Sequence, residues 1–157
     1  MTPGINLARK QKIAHKVHEY SHDPDSESYG QEAADKLGVP ASRVFKTLVV
    51  SLDNKALAVA VLPVSGMLSM KQIARAAGAK KATMAPPADV ERATGYVLGG
   101  VSPLGQKKRL KTIIDVSAAD YDTVYISAGR RGLEIELSPD DLKSLTNAVL
   151  ALSLIHI

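Results

Sequence analysis

The sequence predicts an α+β fold: a single domain with a curved, mixed or antiparallel sheet, partly barrel-like, flanked by helices. Three observations carry this expectation. Apolar, β-branched runs outnumber the segments of helical period. The two kinds interleave without the strand–helix–strand regularity of a parallel α/β fold. The 157 residues contain no internal repeat and no linker long enough to divide them, so one core is the default. Residues 1–150 are read as that domain. The apolar end, residues 151–157, is set apart as a non-native or disordered tail, too short to cross a membrane.

The elements follow in order. Thr2-Pro3 reads as an N-cap and first-turn proline, opening a helix to about Lys12 with Ile5, Leu7 and Ala8 on its apolar side. Ile13 to Tyr20 reads as extended, and His22 to Ser28 as a polar loop. Gln31 to Leu37 forms a short helix that Gly38 stops. Val44–Leu52 and Ala56–Leu62, joined by Asp53-Asn54, predict an antiparallel hairpin. Ser69 and Gln72 have capping-box spacing, so a helix begins at Ser69 and ends at Gly78. A short helix over Pro87–Ala93 precedes the glycine-rich stretch Gly95–Gly105. Lys111–Asp115, Thr123–Ser127 and Leu133–Leu137 read as strands, and Ser138-Pro139-Asp140-Asp141 caps a final helix through about Leu150.

Composition narrows the function. With one Phe and no Trp the core is aliphatic, and aromatic stacking platforms for single strands are excluded as the dominant device. A net charge of +4 permits a polyanionic partner without demanding one. The lack of cysteine removes disulfides, thiolate metal sites and a cysteine nucleophile, and fits a reducing cytoplasm. The first residues, Met1 to Lys12, intermix basic and apolar side chains, unlike a signal peptide.

Several segments could carry chemistry. Gly100 and Gly105 have phosphate-loop separation, but Gln106 stands where that loop needs lysine and Pro103 removes a donor. What remains is a run whose glycines let backbone N–H groups approach a carbonyl oxygen or phosphate, or else an ordinary turn. Lys46 shares a strand face with Val44, Leu48 and Val50. Burial there would lower its pKa and suit it to polarise a carbonyl or meet a phosphate; an edge lysine reaching for water fits the same pattern. His18, Tyr20 and His22 alternate on one face, yet no third ligand at a recognised spacing supports a metal. Lys107, Lys108 and Arg109, with Lys80-Lys81 and Arg130-Arg131, form basic patches suited to a phosphate backbone or simply to water. Ser102 lacks a nucleophile-elbow context and no His–Asp pair stands out beside it.

Together these segments resemble the bacterial YbaK family of Cys-tRNA(Pro) deacylases. The resemblance runs from Thr2 to about Leu150 and rests on Tyr20-x-His22-Asp23-Pro24, Val44-Phe45-Lys46-Thr47-Leu48, Thr94-Gly95-Tyr96, Gly99 through Leu110, and Arg131 through Leu137. It implies a curved mixed α+β fold related to the editing domain of prolyl-tRNA synthetase, acting on mischarged tRNA as a second sieve. It places the catalytic lysine on Lys46 and substrate contacts on Tyr20, Tyr29, Gly99, Gly100, Ser102, Ser127 and Glu134, the last where the family usually has aspartate. Lys107, Lys108 and Arg109 become tRNA contacts. The implied chemistry uses the substrate's own thiol, so no metal and no cofactor is expected; the partners are mischarged tRNA and, in a transient complex, prolyl-tRNA synthetase. Two alternatives stay open: a water-using deacylase for alanine or another small aminoacyl group, and a non-catalytic homologue that binds tRNA or synthetase.

Overall fold

Thr2 opens the first helix of the computed structural model, which describes residues 2–26 and 29–155. Glu27 and Ser28 of the polar loop and His156 and Ile157 of the tail lie outside the described residues. In α1 (Pro3–Lys10) the Thr2 hydroxyl accepts from the Ile5 N–H at 3.3 Å and donates to the Ala128 carbonyl, so one side chain caps the helix and ties it to a distant strand. The extended segment after it becomes β1 (His15–Glu19), followed by α2 (Tyr29–Leu37).

The predicted hairpin forms as β2 (Phe45–Leu52) and β3 (Ala56–Pro63), paired in register from Phe45–Pro63 to Leu52–Ala56. Its two turn residues, Asp53 and Asn54, both take positive φ, as a two-residue hairpin loop requires. Helix α3 (Met70–Ala77) starts at Ser69, whose hydroxyl accepts from the Gln72 N–H at 3.1 Å, and stops at left-handed Gly78. A short β4 (Ala82–Met84), not anticipated from the sequence, pairs with Val50–Leu52. Then come α4 (Pro87–Thr94), β5 (Lys111–Asp115), β6 (Val124–Arg130) and β7 (Leu133–Leu137).

The last helix is shorter than expected. In α5 (Pro139–Thr146) the chain turns out at Asn147, which adopts φ 53° and returns its N–H to the Lys143 and Ser144 carbonyls. Val149–Ala151 then forms β8, parallel to Ile113–Asp115. Pairing with an open sheet edge overrides the helical pattern that Val149 and Leu150 continue. Beyond it, the Ser153 hydroxyl donates to Asp115 at 2.9 Å and Leu154 bridges Leu68.

Two sheets result, an antiparallel one ordered β1-β7-β6 and a mixed one ordered β4-β2-β3-β5-β8. Among the described residues they do not close into a barrel; they touch where Val44 bridges Tyr125 and the Tyr125 N–H donates to the Arg43 carbonyl at 3.1 Å. The main core lies between them, with Phe45, Val49, Val61 and Ile114 facing Val124, Ile126, Ile135 and Leu137 under α1 and α5. A second core packs Val50, Ala58, Leu62 and Ile113 against Ile73, Ala74 and Ala77 of α3. No helix among the described residues is long and apolar enough to cross a membrane.

Candidate active site

Past the Val44–Tyr125 bridge, β2 and β6 part. β4 reaches β2 only at Val50–Leu52, so the stretch Phe45–Leu48 has a strand neighbour, β3, on one side and a cavity on the other. The cavity is about 290 Å³, the size of a small-molecule site. Its walls bring together Tyr20, Tyr29, Lys46, Gly99, Ser127 and Glu134, six of the residues singled out from sequence.

Lys46 is half-buried and donates to the Gly66 carbonyl at 2.9 Å; burial lowers its pKa. Glu134 sits on β7 between His18 of β1 and Ser127 of β6 in register. Leu133, Ile135 and Leu137 take the core face of that strand, which sends Glu134 and Glu136 to the other. Glu136 is well partnered, by Thr123 at 2.5 Å, His18 at 2.8 Å and Arg43 at 3.4 Å. Glu134, only 6% exposed, has no such partners among the described residues, and burial pushes its carboxyl up to about 8. Tyr20 is raised too, by burial first and by the nearby Glu134 second. The Ser127 hydroxyl accepts from the Gly129 N–H at 3.1 Å.

The glycine-rich segment forms the facing wall and braces itself. The Tyr96 hydroxyl donates to the Leu104 carbonyl at 2.6 Å, Gln106 reaches the Ser102 carbonyl at 2.9 Å, and burial lifts the Tyr96 phenol to about 12. Gly105 lies against α1 so closely that a Cβ would stand 2.6 Å from the Pro3 carbonyl carbon. Gly99 takes φ 89° and abuts Arg131 and Tyr29, where a Cβ would meet Arg131 Nε at 2.6 Å.

The remaining expected residues fall elsewhere. Gly100 packs on the Arg130 backbone and its N–H donates to the Val97 carbonyl at 3.0 Å, so of the two neighbouring glycines it is Gly99 that lines the cavity. Ser102 is fully buried behind the wall, its hydroxyl accepting from the Leu104 N–H at 3.2 Å. Lys107, Lys108 and Arg109 are exposed on the outer side of the loop, and the latter two line shallow grooves away from the cavity. His18 and His22 go to separate carboxylates, Glu136 and Glu32, rather than to a common centre.

The structure adds residues that sequence reasoning did not assign to the site. Arg131 stacks on Tyr29 with its guanidinium carbon 3.5 Å from the ring centroid, and Arg130 lies beside it. Arg130 had been visible only in a basic pair, and Arg131 also as the first residue of the Arg131–Leu137 string, with no site role given to either. Thr47 lines the cavity with a buried hydroxyl that has no hydrogen-bond partner among the described residues. Nothing in its sequence context signals that.

The family model for the aminoacyl-tRNA editing domain matches residues 23–145. The chain belongs to that family. It is 37% identical over 150 residues to an Enterococcus faecalis protein named "Putative Cys-tRNA(Pro)/Cys-tRNA(Cys) deacylase EbsC", covering 96% of this chain and 91% of the relative. The family's YbaK-type fold recurs in a solved structure described as "a putative trans-editing enzyme for prolyl tRNA synthetase", at TM-score 0.83 and 24% identity over 99% of both chains. Hypothetical protein APE2540 shares it at TM-score 0.84 and 26% identity, covering 96% of this chain and 98% of that one.

Proposed function

We propose that this member of the family is a trans-acting editing enzyme that deacylates mischarged Cys-tRNA(Pro), and also Cys-tRNA(Cys), by a substrate-thiol-assisted reaction. The observation that carries the reading is the composition of the cavity wall. It offers charge and hydrogen bonds around Lys46, Gly99 and Glu134, while among the described residues its one serine hydroxyl accepts from Gly129 and no histidine lines the cavity to take its proton. A site of this kind positions and stabilises rather than attacks.

The chemistry then runs on the substrate. The cysteinyl thiol, with an ordinary pKa near about 8.5, attacks its own ester carbonyl. A carbon–sulfur bond forms, the carbon–oxygen bond to the ribose breaks, and the thiol proton ends on the ribose hydroxyl. Water later opens the thiolactone to free cysteine. Lys46 polarises the carbonyl, the Gly99 backbone faces the developing oxyanion, and Tyr20, Tyr29 and Ser127 shape the pocket. Glu134 receives the substrate ammonium: held neutral by burial in the empty site, it ionises when that cation arrives. In net terms the enzyme changes no oxidation state and consumes only water.

Mischarged tRNA is the partner in this reading, with Lys107, Lys108 and Arg109 on its phosphates and prolyl-tRNA synthetase in a transient cytoplasmic complex. A net charge of only +4 supports reliance on that complex for tRNA selection; tight, tRNA-selective binding by the isolated chain would contradict it. The deciding experiment compares release from Cys-, Ala- and Ser-tRNA(Pro) by the wild type and Lys46→Ala. Cysteine-selective release that depends on Lys46 is expected. Equal clearance of alanine or serine would put water in the thiol's place, and no release with or without synthetase would leave a binding role.

A further inference from the structure

Arg131 enters the cavity as a cation whose place is fixed from behind. Its Nη1 lies 3.3 Å from His22 Nε2, and His22 Nδ1 lies 2.6 Å from Glu32 Oε1. A guanidinium only donates, so Nε2 must accept; the imidazole proton therefore sits on Nδ1 and is donated to Glu32. Glu32 is itself anchored, accepting from the Asp23 N–H at 2.8 Å and facing Lys36 at 3.4 Å. Burial acts to raise the Glu32 carboxyl, but the hydrogen bonds from His22 and Asp23 outweigh it and keep the group below its ordinary value, hence charged. The chain of contacts Glu32–His22–Arg131 ends with the guanidinium over the Tyr29 ring and against Gly99.

The device orients the charge of Arg131 without neutralising it. Its direct partner is a neutral imidazole, and among the described residues no carboxylate oxygen lies within 4 Å of Arg131, Arg130 or Lys46. Among the described residues, one of its five N–H donors finds a protein acceptor, which leaves the rest of the fork for a ligand. The cavity holds three cations and a single carboxyl group, Glu134. A rigid, unneutralised fork beside a second cation matches the oxygens of a phosphate, which accept it bidentately.

We infer that Arg131 is a phosphate-binding residue of the site, and that the phosphate it takes is the one on the 5′ oxygen of the terminal adenosine of the tRNA, with His22 and Glu32 as positioning residues behind it. The inference rests on the editing reading for the source of that nucleotide. It assigns a division of labour: Lys46 serves the ester, Arg131 the nucleic-acid end that presents it.

The test separates phosphate recognition from turnover. Binding of adenosine 5′-monophosphate and of adenosine is measured by calorimetry on the wild type, Arg131→Gln and Arg131→Lys. The wild type should bind the monophosphate at least about tenfold more tightly, a preference that Arg131→Gln abolishes and Arg131→Lys reduces. Equal affinity in the wild type, or a preference that Arg131→Gln retains, overturns the inference. Deacylation of cysteinyl adenosine with and without its 5′ phosphate then reads the editing activity apart from it: Arg131→Gln should raise KM for the phosphorylated substrate more than for the unphosphorylated one, and an equal change in both overturns the inference. Matched thermal unfolding of wild type and variants shows that the fold is retained.

Discussion

Strands β3 and β7 are buried in opposite styles. Along β3, Ala58 to Leu62 are all 0% exposed, because the five-stranded sheet has a core on each face and every side chain meets apolar partners. Along β7, Leu133, Ile135 and Leu137 enter the core while Glu134 and Glu136 face the other way, toward the cavity and its approaches. Strand β3 has nothing polar to offer a ligand and carries stability; β7 gives one face to the cavity. Lys46 is the exception that joins them, a charged residue on the hairpin at the point where the sheets separate.

That contrast can be broken from either side. The largest effect is expected from Lys46→Ala, which should lower kcat/KM for cysteine release by about 10²–10³-fold with the unfolding midpoint nearly unchanged; near-wild-type release would remove the lysine from the chemistry. Leu62→Ala, at a fully buried site of the five-stranded sheet, should do the reverse, costing roughly 2–5 kcal/mol of stability in denaturant titration while the folded fraction keeps its kcat.

Glu134→Gln tests the polar face through pH. The folded carboxyl titrates at about 8 against 4.5 for an ordinary one, so the folded state holds a proton that the unfolded chain has lost. Its contribution is therefore complete below the lower value and declines as pH rises toward the upper one, by up to about 1.4 kcal/mol per pH unit. The variant should flatten that decline, so that wild type and Glu134→Gln diverge in melting temperature between pH 5 and 8, about the window those values define. Parallel curves would mean the carboxyl is ionised in the fold. The smallest effect belongs to Thr47→Val, which removes an orphaned hydroxyl of the same shape and should stabilise the ligand-free protein by roughly 1 kcal/mol; destabilisation would show that the hydroxyl has found a partner.

What could be read from the sequence was local or periodic. The β2–β3 hairpin, the Ser69 and Ser138 caps and the glycine stops are each decided by a few neighbouring residues, and the structure has them where expected. Lys46 was noticeable because it interrupts an apolar face. What escaped depends on partners far away in the chain. β4 exists because β2 leaves an edge open at Val50–Leu52, and β8 because β5 does so at Ile113–Asp115. Arg131 looks like any surface arginine until Glu32 and His22, about a hundred positions earlier, are seen to hold it over Tyr29. The resemblance to a family supplied Tyr29, Gly99, Ser127 and Glu134, which no spacing rule would have brought into one cavity.

The single bridge at Val44 and Tyr125 has a consequence for how the protein fails. Because the cavity is bounded by β2 of one sheet and by β6 and β7 of the other, neither half contains a site that could survive alone. Opening at that seam would separate Lys46 from Glu134 and Ser127 and abolish turnover, and closure would restore it. Exchange of the Tyr125 amide, which donates to the Arg43 carbonyl across the seam, therefore reports the same event as loss of activity, which makes the seam the natural place to watch this domain breathe.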